Sequence, residues 1–153
     1  MSTAATSVES RVAAFAADCR RHGMKPTHQR TEIYRAMVRT GEHPSADSVY
    51  RAVRRRVPAI SLDTVYRTLR LLEEKNVIWR VGSVEDRTRF DANPERHHHF
   101  VCQSCGRVID FHSDEMDALR APHASSAIGK VDYVHVELRG TCAHCQARRA
   151  GKK

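Results

Sequence analysis

The residues best suited to chemistry are crowded into one stretch, Arg89 to Phe111, which reads RFDANPERHHHFVCQSCGRVIDF. Its potential metal ligands are Asp91, His97, His98, His99, Cys102, Cys105 and Asp110. Thiolates suit a closed structural zinc site, whereas imidazoles with carboxylates suit iron or manganese held less rigidly. One segment therefore carries ligands of two chemical kinds, which predicts two metal sites with different roles.

The first predicted site is a set of four thiolates. Its members are the paired C-x-x-C motifs Cys102, Cys105, Cys142 and Cys145. Each motif places two sulfurs on one side of a tight turn, and Gly106 supplies the turn after the first pair. Two such turns complete the tetrahedron that suits zinc. Because zinc binding becomes folding free energy in a small domain, removal of this zinc is predicted to unfold residues 92 to 145.

The second predicted site combines imidazoles and carboxylates. Its members are His43, Asp91, His97, His99 and Asp110. His97 and His99 alternate along a predicted strand and so point to one face, while His98 points to the other. Such a ligand set suits Fe²⁺ or Mn²⁺, and zinc can also occupy it. A histidine-rich strand that is merely solvated is the competing interpretation.

The charge of the chain indicates a polyanionic partner. The formal net charge is +8, from 26 Lys and Arg against 18 Asp and Glu, and the arginines are concentrated in the first half. This distribution is typical of proteins that bind nucleic acid, although a generally basic soluble protein is the simpler alternative.

No apolar run approaches the roughly 20 residues of a membrane span, and no signal peptide is recognisable at the N-terminus. We therefore expect a cytoplasmic protein without membrane contact. In that compartment the five cysteines are expected to be metal ligands or thiols rather than disulfides. Cys19 stands apart from the others, and we expect it to be a small buried hydrophobe.

The first ninety residues are predicted to form four helices and a two-stranded ribbon. Residues 1–6 are expected to be a frayed tail. The predicted helices run from Ser7 to His22, from Thr27 to Thr40 with Gly41 at its end, from Ser45 to the arginines at 54–56, and from Ser61 to Asn76. The predicted strands are 77–81 and 87–90, joined by a turn that includes Glu85 and Asp86. This order predicts a winged helix-turn-helix.

In that arrangement the fourth helix enters the major groove of DNA. Leu62, Val65, Leu69 and Leu72 recur at helical spacing and are expected to face the core. Thr68 is expected on an exposed face, with the predicted DNA contacts Ser61, Thr64, Tyr66, Arg67 and Arg70. Hydroxyl, phenol and guanidinium groups are the types that contact base edges and phosphates.

The remainder of the chain is predicted to form a second domain. Residues 91–94 are rich in turn formers and read as a hinge between a DNA-binding domain at 1–90 and a smaller domain at 95–153. Strands at 99–103 and 107–111, a helix from Ser113 that ends before Pro122, and a strand at 130–138 are expected there. The whole fold is therefore predicted to be α+β, with a small C-terminal α/β domain that contains zinc.

The sequence resembles the ferric uptake regulator family from Gly23 to Cys145. The motifs that carry the resemblance are GMKPTHQR from Gly23, HPSADSVY from His43, ISLDTVYRTL from Ile60, RFD from Arg89, HHHFVCQSCG from His97 and CAHC from Cys142. The resemblance implies a homodimeric repressor that binds a palindromic operator in double-stranded DNA. It also implies that the C-terminal domain dimerises, that regulatory metal at the hinge closes the protein onto DNA, and that Lys25 reaches the minor groove.

The ligand set resembles that of the peroxide-sensing branch, because Asp91 stands where iron-uptake members typically carry Glu. An extra site often found in iron-uptake members has Arg96, His98, Asp117 and Val134 at its positions, with His135 one residue away. The zinc-uptake branch often places a further Cys in its sensor, and no spare Cys lies near the hinge. By resemblance, peroxide would react at bound Fe²⁺ and oxidise His43 or His97 to 2-oxo-histidine, which releases DNA. Mn²⁺ would support DNA binding and resist peroxide.

Three other functions are compatible with these residues. An iron-responsive repressor differs from a peroxide sensor only in the response of the regulatory site. A non-heme iron metalloenzyme could use two His and a carboxylate, although no cosubstrate motif is present and five ligands leave little room for substrate. A DNA-binding module with structural zinc alone is the third possibility.

Overall fold

The computed structural model describes residues 7–40, 43–84, 87–132 and 134–151. The chain divides into two compact units, the first ending at Pro94 and the second beginning at Glu95. Both combine helices with a small sheet. The expectations for residues 1–6, Gly41 and the turn at Glu85 and Asp86 lie outside the described residues. In the part that the structure describes, every helix is too short or too polar to span a bilayer.

Four helices form most of the first unit, as the sequence predicts. They are α1 (Val8–Arg21), α2 (His28–Thr40), α3 (Ala46–Arg54) and α4 (Leu62–Glu74). Serine side chains cap α1, α3 and α4, because Ser7, Ser45 and Ser61 each accept a hydrogen bond from the backbone N–H three residues later. Asn76, with φ of 55°, adopts the left-handed conformation just after α4.

A continuous apolar core holds these helices together. Its fully buried side chains include Phe15, Cys19, Ile33, Val65, Leu69 and Leu72. Burial raises the pKa of the Cys19 thiol, which favours its role as a small apolar residue. The expectation that Thr68 is exposed was wrong: it is 7% exposed. Thr68 adjoins Leu69 on the buried stripe, so its methyl group extends the apolar face of α4.

A two-stranded antiparallel ribbon completes the first unit. It consists of β1 (Trp79–Val84) and β2 (Arg87–Asp91), with Trp79 opposite Asp91 and Arg80 opposite Phe90. Phe90 is buried in the helical core and so attaches the ribbon to the helices. The first strand begins later and runs further than the predicted 77–81, because Val77 and Ile78 are still in the chain reversal that follows α4.

The second unit is built on a three-stranded sheet with the order β4–β3–β5. Its elements are β3 (His98–Cys102), β4 (Val108–Phe111), α5 (Asp114–Asp117), a 3-10 helix (His123–Ala127), β5 (Glu137–Gly140) and α6 (Ala143–Ala150). Strand β3 pairs antiparallel with β4 and parallel with β5. Ser113 caps α5, as expected, and this helix ends well before Pro122.

One prediction for the second unit requires correction, and one of its helices was missed. The strand expected at 130–138 is confined to Glu137–Gly140, because its partner β3 begins only at His98, and His99 is the first residue of β3 to pair with β5. Val131 and Val134, further upstream, lie before the residues that pair with β3. Helix α6 was not predicted; it starts directly after Cys142, within the second C-x-x-C motif.

Candidate metal centres and nucleic-acid interface

The four cysteines of the paired motifs converge in the second unit. Cys102 ends β3, Cys105 lies in the following turn, Cys142 precedes α6 and Cys145 lies in its first turn. Their sulfurs lie within 4.8 Å of one another, and none is in a disulfide. The Cys105 and Cys142 Sγ atoms are 3.9 Å apart, close to the roughly 3.8 Å edge of a tetrahedron with Zn–S bonds of about 2.3 Å. The cluster therefore fits structural zinc.

The backbone around this cluster positions the sulfurs and favours the thiolate form of Cys102. Gly106, with φ of +69°, closes the first knuckle by donating its N–H to the Cys102 carbonyl at 2.8 Å. The Cys142 N–H donates to Cys102 Sγ at 3.3 Å and lowers the pKa of that thiol to about 6. The Arg107 N–H favours the Cys105 thiolate, yet partial desolvation and the neighbouring sulfurs raise the pKa of Cys105 to about 11. A divalent cation would offset this mutual repulsion and keep all four groups ionised.

Three of the predicted regulatory ligands also converge within the second unit. The Nε2 atoms of His97 and His99 are 3.0 Å apart, and Asp110 Oδ1 lies 3.7 Å from the first and 3.4 Å from the second. Two ligands bonded at about 2.1 Å and about 90° apart would be about 3.0 Å from each other. His97, His98 and His99 are all buried, so the interpretation as a solvated strand is wrong.

The hydrogen bond of His97 fixes which nitrogen is available to a metal. Its Nδ1 lies 2.6 Å from the Glu95 carbonyl oxygen, which can only accept a hydrogen bond. In the neutral imidazole Nδ1 therefore carries the proton, and Nε2 presents its lone pair toward His99 and Asp110. This is the usual support for a metal-bound histidine, whose second nitrogen donates to a carbonyl or carboxylate.

His98 has the opposite arrangement and belongs to a different network. Its Nδ1 accepts a hydrogen bond from the Val136 N–H at 3.1 Å, so Nε2 carries the proton and donates to Asp117 Oδ1 at 3.1 Å. Arg96 Nε lies 3.0 Å from the same carboxylate oxygen. Both nitrogens of His98 are used, and the Arg96 guanidinium supplies the positive charge beside Asp117. These contacts explain why His98 faces away from His97 and His99.

The other two predicted regulatory ligands lie in the first unit. His43 precedes α3, Asp91 ends β2, and each is 6% exposed. A nitrogen of His43 and a carboxylate oxygen of Asp91 lie within 4.8 Å of each other. Asp91 also accepts a hydrogen bond from the Asn93 N–H at 2.7 Å. The fold of the first unit thus brings together two residues that are far apart in sequence.

The predicted DNA contacts fall into three groups. Tyr66 is 48% exposed, and Arg67 and Arg70 are also exposed on α4. Arg67 pairs with Asp63 at 3.8 Å and Arg70 with Glu74 at 3.0 Å, contacts that are exposed and readily exchanged for phosphates.

Ser61 and Thr64 belong to the cap of α4, since the Ser61 hydroxyl accepts from Thr64 N at 3.0 Å and contacts the Thr64 hydroxyl at 2.8 Å. Lys25 is exposed three residues before α2, and its carbonyl accepts a hydrogen bond from Arg30 at 2.7 Å.

Two grooves flank α4, and basic and hydroxyl residues predominate in both, with one acidic residue in each, Glu74 and Asp47. The groove toward α2 has a volume of about 660 Å³ and contains Thr27, Gln29, Arg30, Thr64, Arg67 and Arg70. The groove toward α3 and the ribbon has a volume of about 690 Å³ and contains Ser45, Ser48, Arg51, Tyr66, Arg67, Arg70, Thr88 and Arg89. Sequence reasoning missed Arg30, Arg51 and Arg89 as groove residues. The basic charge of the N-terminal half was a signal for Arg30 and Arg51, and Arg30 and Arg89 also belong to the motifs GMKPTHQR and RFD.

Comparisons with known proteins agree with this arrangement. The profile of the ferric uptake regulator family (FUR) matches residues 21–139. The chain is 30% identical over 148 residues to the peroxide-responsive repressor PerR of Staphylococcus epidermidis. The alignment covers 95% of this chain and 97% of that protein.

Two solved structures have similar folds. The Helicobacter pylori ferric uptake regulator, described as having three functional metal-binding sites, superposes with a TM-score of 0.70 at 25% identity and covers 92% of this chain and 94% of that one. A zinc-bound manganese uptake regulator superposes with a TM-score of 0.63 at 31% identity and covers 84% of this chain and 98% of that one. The paired cysteine motifs, the histidine–aspartate sites and these similarities lead to one conclusion: the chain belongs to the ferric uptake regulator family of metal-responsive transcriptional regulators.

Proposed function

We propose that this protein is a homodimeric, metal-dependent DNA-binding repressor that senses hydrogen peroxide through oxidation of a histidine. Zn²⁺ bound by the four cysteines would stabilise the second unit. Fe²⁺ or Mn²⁺ would be the regulatory metal, with His43, Asp91, His97, His99 and Asp110 as its ligands.

The observation that carries this proposal is the convergence of His97, His99 and Asp110. Their ligand atoms are 3.0–3.7 Å apart, and the Glu95 carbonyl fixes the tautomer of His97. An N–H···N hydrogen bond between the two imidazoles would give the same 3.0 Å separation without metal. The additional carboxylate favours a cation, because it places negative charge beside both nitrogens. A nitrogen and oxygen ligand set of this kind suits Fe²⁺ and Mn²⁺.

The proposed DNA interface is the exposed face of α4 with the two grooves beside it. We propose Tyr66 and Arg67 as the principal contacts on α4, supported by Thr64, Arg70 and the cap residue Ser61, with Lys25 in the minor groove. The order of four helices followed by a two-stranded ribbon is that of a winged helix-turn-helix, in which one helix occupies the major groove.

The second unit has the surface expected of a dimerisation domain. Ile109 and Leu138 flank Phe100 across the sheet and are 39% and 41% exposed. Ile128 is 89% exposed, and β5 lies at an edge of the sheet. An apolar surface beside a free strand edge is suited to association with a second copy. A twofold dimer would require a palindromic operator.

Asp91 is the residue that favours peroxide sensing over iron sensing. With Fe²⁺ bound to promote cleavage of the O–O bond, hydrogen peroxide would be the two-electron oxidant, the imidazole would be oxidised, and the second peroxide oxygen would leave as water. His43 or His97 would gain one oxygen atom, and loss of that imidazole as a ligand would weaken the regulatory site and release DNA. The likeness to the staphylococcal peroxide-responsive repressor supports this proposal.

An iron-responsive repressor is the second candidate, supported by the superposition on the Helicobacter pylori regulator. Asp91→Glu separates the two. If Asp91 confers peroxide sensitivity, this variant retains Mn²⁺-dependent DNA binding and resists peroxide when loaded with Fe²⁺. An unchanged peroxide response would remove the argument from Asp91.

Replacement of the paired histidines tests the regulatory site itself. The combined variant His97→Ala, His99→Ala should bind DNA with an affinity that no longer depends on Mn²⁺ or Fe²⁺. The matched control is His123→Ala, an exposed histidine of the 3-10 helix, which should respond to metal as the unmodified protein does. Retention of the metal response in the double variant would show that these histidines are not regulatory ligands.

A further inference from the structure

The main chain around His43 is attached to strand β2 within the first unit. The Arg89 guanidinium donates from Nη1 to the His43 carbonyl at 2.9 Å. The Phe90 N–H donates to the Pro44 carbonyl at 3.0 Å, and Ser45 forms an isolated antiparallel bridge with Arg89. These contacts restrain three successive residues, so they also restrain the direction in which the His43 imidazole leaves the backbone.

Arg89 lies on the same side of β2 as Asp91. Successive side chains of a strand alternate between faces, so residues two apart share a face. Phe90, between them, is 5% exposed and points into the helical core. The same short strand therefore carries one proposed metal ligand, Asp91, and an arginine that holds the backbone of a second, His43.

Arg89 also lines the groove between α3, α4 and the ribbon, where Tyr66 and Arg67 are the proposed DNA contacts. Its bridge partner Ser45 caps α3 by accepting the Ser48 N–H at 3.3 Å. The Ser48 hydroxyl in turn lies 3.4 Å from an Arg51 guanidinium nitrogen. A continuous set of contacts thus leads from the His43 carbonyl to basic groups in the groove.

We infer that Arg89 is a positioning residue that couples occupation of the regulatory metal site to the shape of the DNA-binding groove inside the first unit. The inference rests on the proposed function, because it takes His43 and Asp91 as metal ligands and the groove as the DNA interface. When metal fixes the His43 and Asp91 side chains, Arg89 is held between the His43 carbonyl and the groove wall. When a ligand is lost, the restraint on Arg89, on Ser45 and on the start of α3 is relaxed.

Two simpler roles for Arg89 predict different behaviour. A residue that only contacts a phosphate would change DNA affinity equally with and without metal. A residue that only braces the His43 backbone would change metal affinity equally with and without DNA. A coupling residue changes the factor by which each ligand strengthens the other, and that factor is the same in both directions.

The test measures this coupling factor in full-length protein. The DNA probe is a duplex selected from a random library by the Mn²⁺-loaded unmodified protein, and its dissociation constant is measured with and without Mn²⁺. Mn²⁺ affinity is measured with and without the duplex through the fluorescence of Trp79, the single tryptophan, which pairs with Asp91 across the ribbon. Coupling in allosteric proteins is typically about 5–150-fold.

Arg89→Gln should reduce the coupling factor to about twofold or less, whereas an intact regulator shows at least about fivefold. The control Arg55→Gln removes the same charge from an exposed position in the same unit and should leave the factor unchanged. Arg89→Lys should restore metal-free DNA affinity without restoring coupling, because a flexible ammonium lacks the planar fork of a guanidinium. It also serves as a folded comparison if Arg89→Gln is unstable.

Equal coupling factors in Arg89→Gln and Arg55→Gln, with normal coupling in the unmodified protein, would overturn the inference and leave the proposed function intact. A coupling factor of one in the unmodified protein would instead overturn the proposed function, and the role of Arg89 with it.

Discussion

Loss of one cysteine ligand is expected to unfold the second unit and leave the first unit folded. The proposed perturbation is Cys145→Ser, which nearly preserves side-chain volume but replaces a thiolate with a hydroxyl that binds zinc poorly. Cys145 lies in the first turn of α6 and is 5% exposed. The four cysteines connect the end of β3 to the start of α6. A weaker zinc site should therefore release these two elements from each other.

The expected loss in the free energy of unfolding follows from the small apolar core of the second unit. In its described residues, the buried hydrophobic side chains outside the cysteine cluster are Val101 and Val108. Burial of two valines contributes about 3–6 kcal/mol, whereas zinc contributes about 10–16 kcal/mol in small zinc-dependent domains. Because whole domains are stable by only about 5–15 kcal/mol, we expect loss of the metal to remove most of the stability of this unit.

The first unit has its own apolar core, so we expect its stability not to depend on the zinc bound by the cysteines. Phe15, Ile33, Leu69 and Leu72 are fully buried within it. Hydrogen exchange resolved by peptide mass spectrometry can follow both units in one experiment. In Cys145→Ser, amides of β3, β5 and α6 should exchange more than about a thousandfold faster, as a loss of about 5 kcal/mol implies. Amides of α1, α2 and α4 should keep their protection.

The matched control is Cys19→Ala, because Cys19 is a buried cysteine of the first unit. This variant should retain the zinc content of the unmodified protein and full protection of the second unit. Zinc removal by a chelator should reproduce the effect of Cys145→Ser. If β3 and α6 stay protected after complete zinc removal, the metal does not hold the fold and the reasoning is refuted.

Two further predictions concern charge. Binding of DNA should weaken steeply with salt. If Arg67 neutralises one phosphate, Arg67→Ala should reduce the slope of a plot of log affinity against log salt concentration by about 0.9. An unchanged slope in a salt titration would show that Arg67 does not contact the DNA backbone. Arg96→His should create a further metal site with His98 and Asp117, because it replaces the guanidinium beside that carboxylate with a ligand. Native mass spectrometry should then detect one more zinc per chain than in Arg96→Gln. Equal stoichiometry in the two variants would show that replacing the positive charge of Arg96 with a ligand does not create a metal site beside Asp117.

Local sequence signals predicted the first unit well. Serines at 7, 45 and 61 mark helix starts through their hydroxyl caps, and the spacing of Val65, Leu69 and Leu72 identifies the buried face of α4. These features depend on neighbours three or four residues apart, so the sequence contains all of the needed information. Burial of Thr68 depends on packing between helices and was therefore missed.

Features that depend on distant pairing were predicted less well. Residues 130–138 have the composition of a strand, but the extent of β5 is set by the length of β3, to which it pairs. The contact from Arg89 to the His43 carbonyl joins residues far apart in the chain, and no sequence spacing indicates it. The cysteine cluster was predictable because its short C-x-x-C spacing is itself the geometric constraint.

The most direct test of the central claim compares Fe²⁺-loaded and Mn²⁺-loaded protein after brief exposure to dilute hydrogen peroxide. We expect the Fe²⁺ form to lose DNA binding, and the peptide carrying His43 or His97 to gain the mass of one oxygen atom. The Mn²⁺ form should keep both its DNA affinity and its mass. If the Fe²⁺ form retains DNA binding and neither peptide gains oxygen, the protein does not sense peroxide by histidine oxidation.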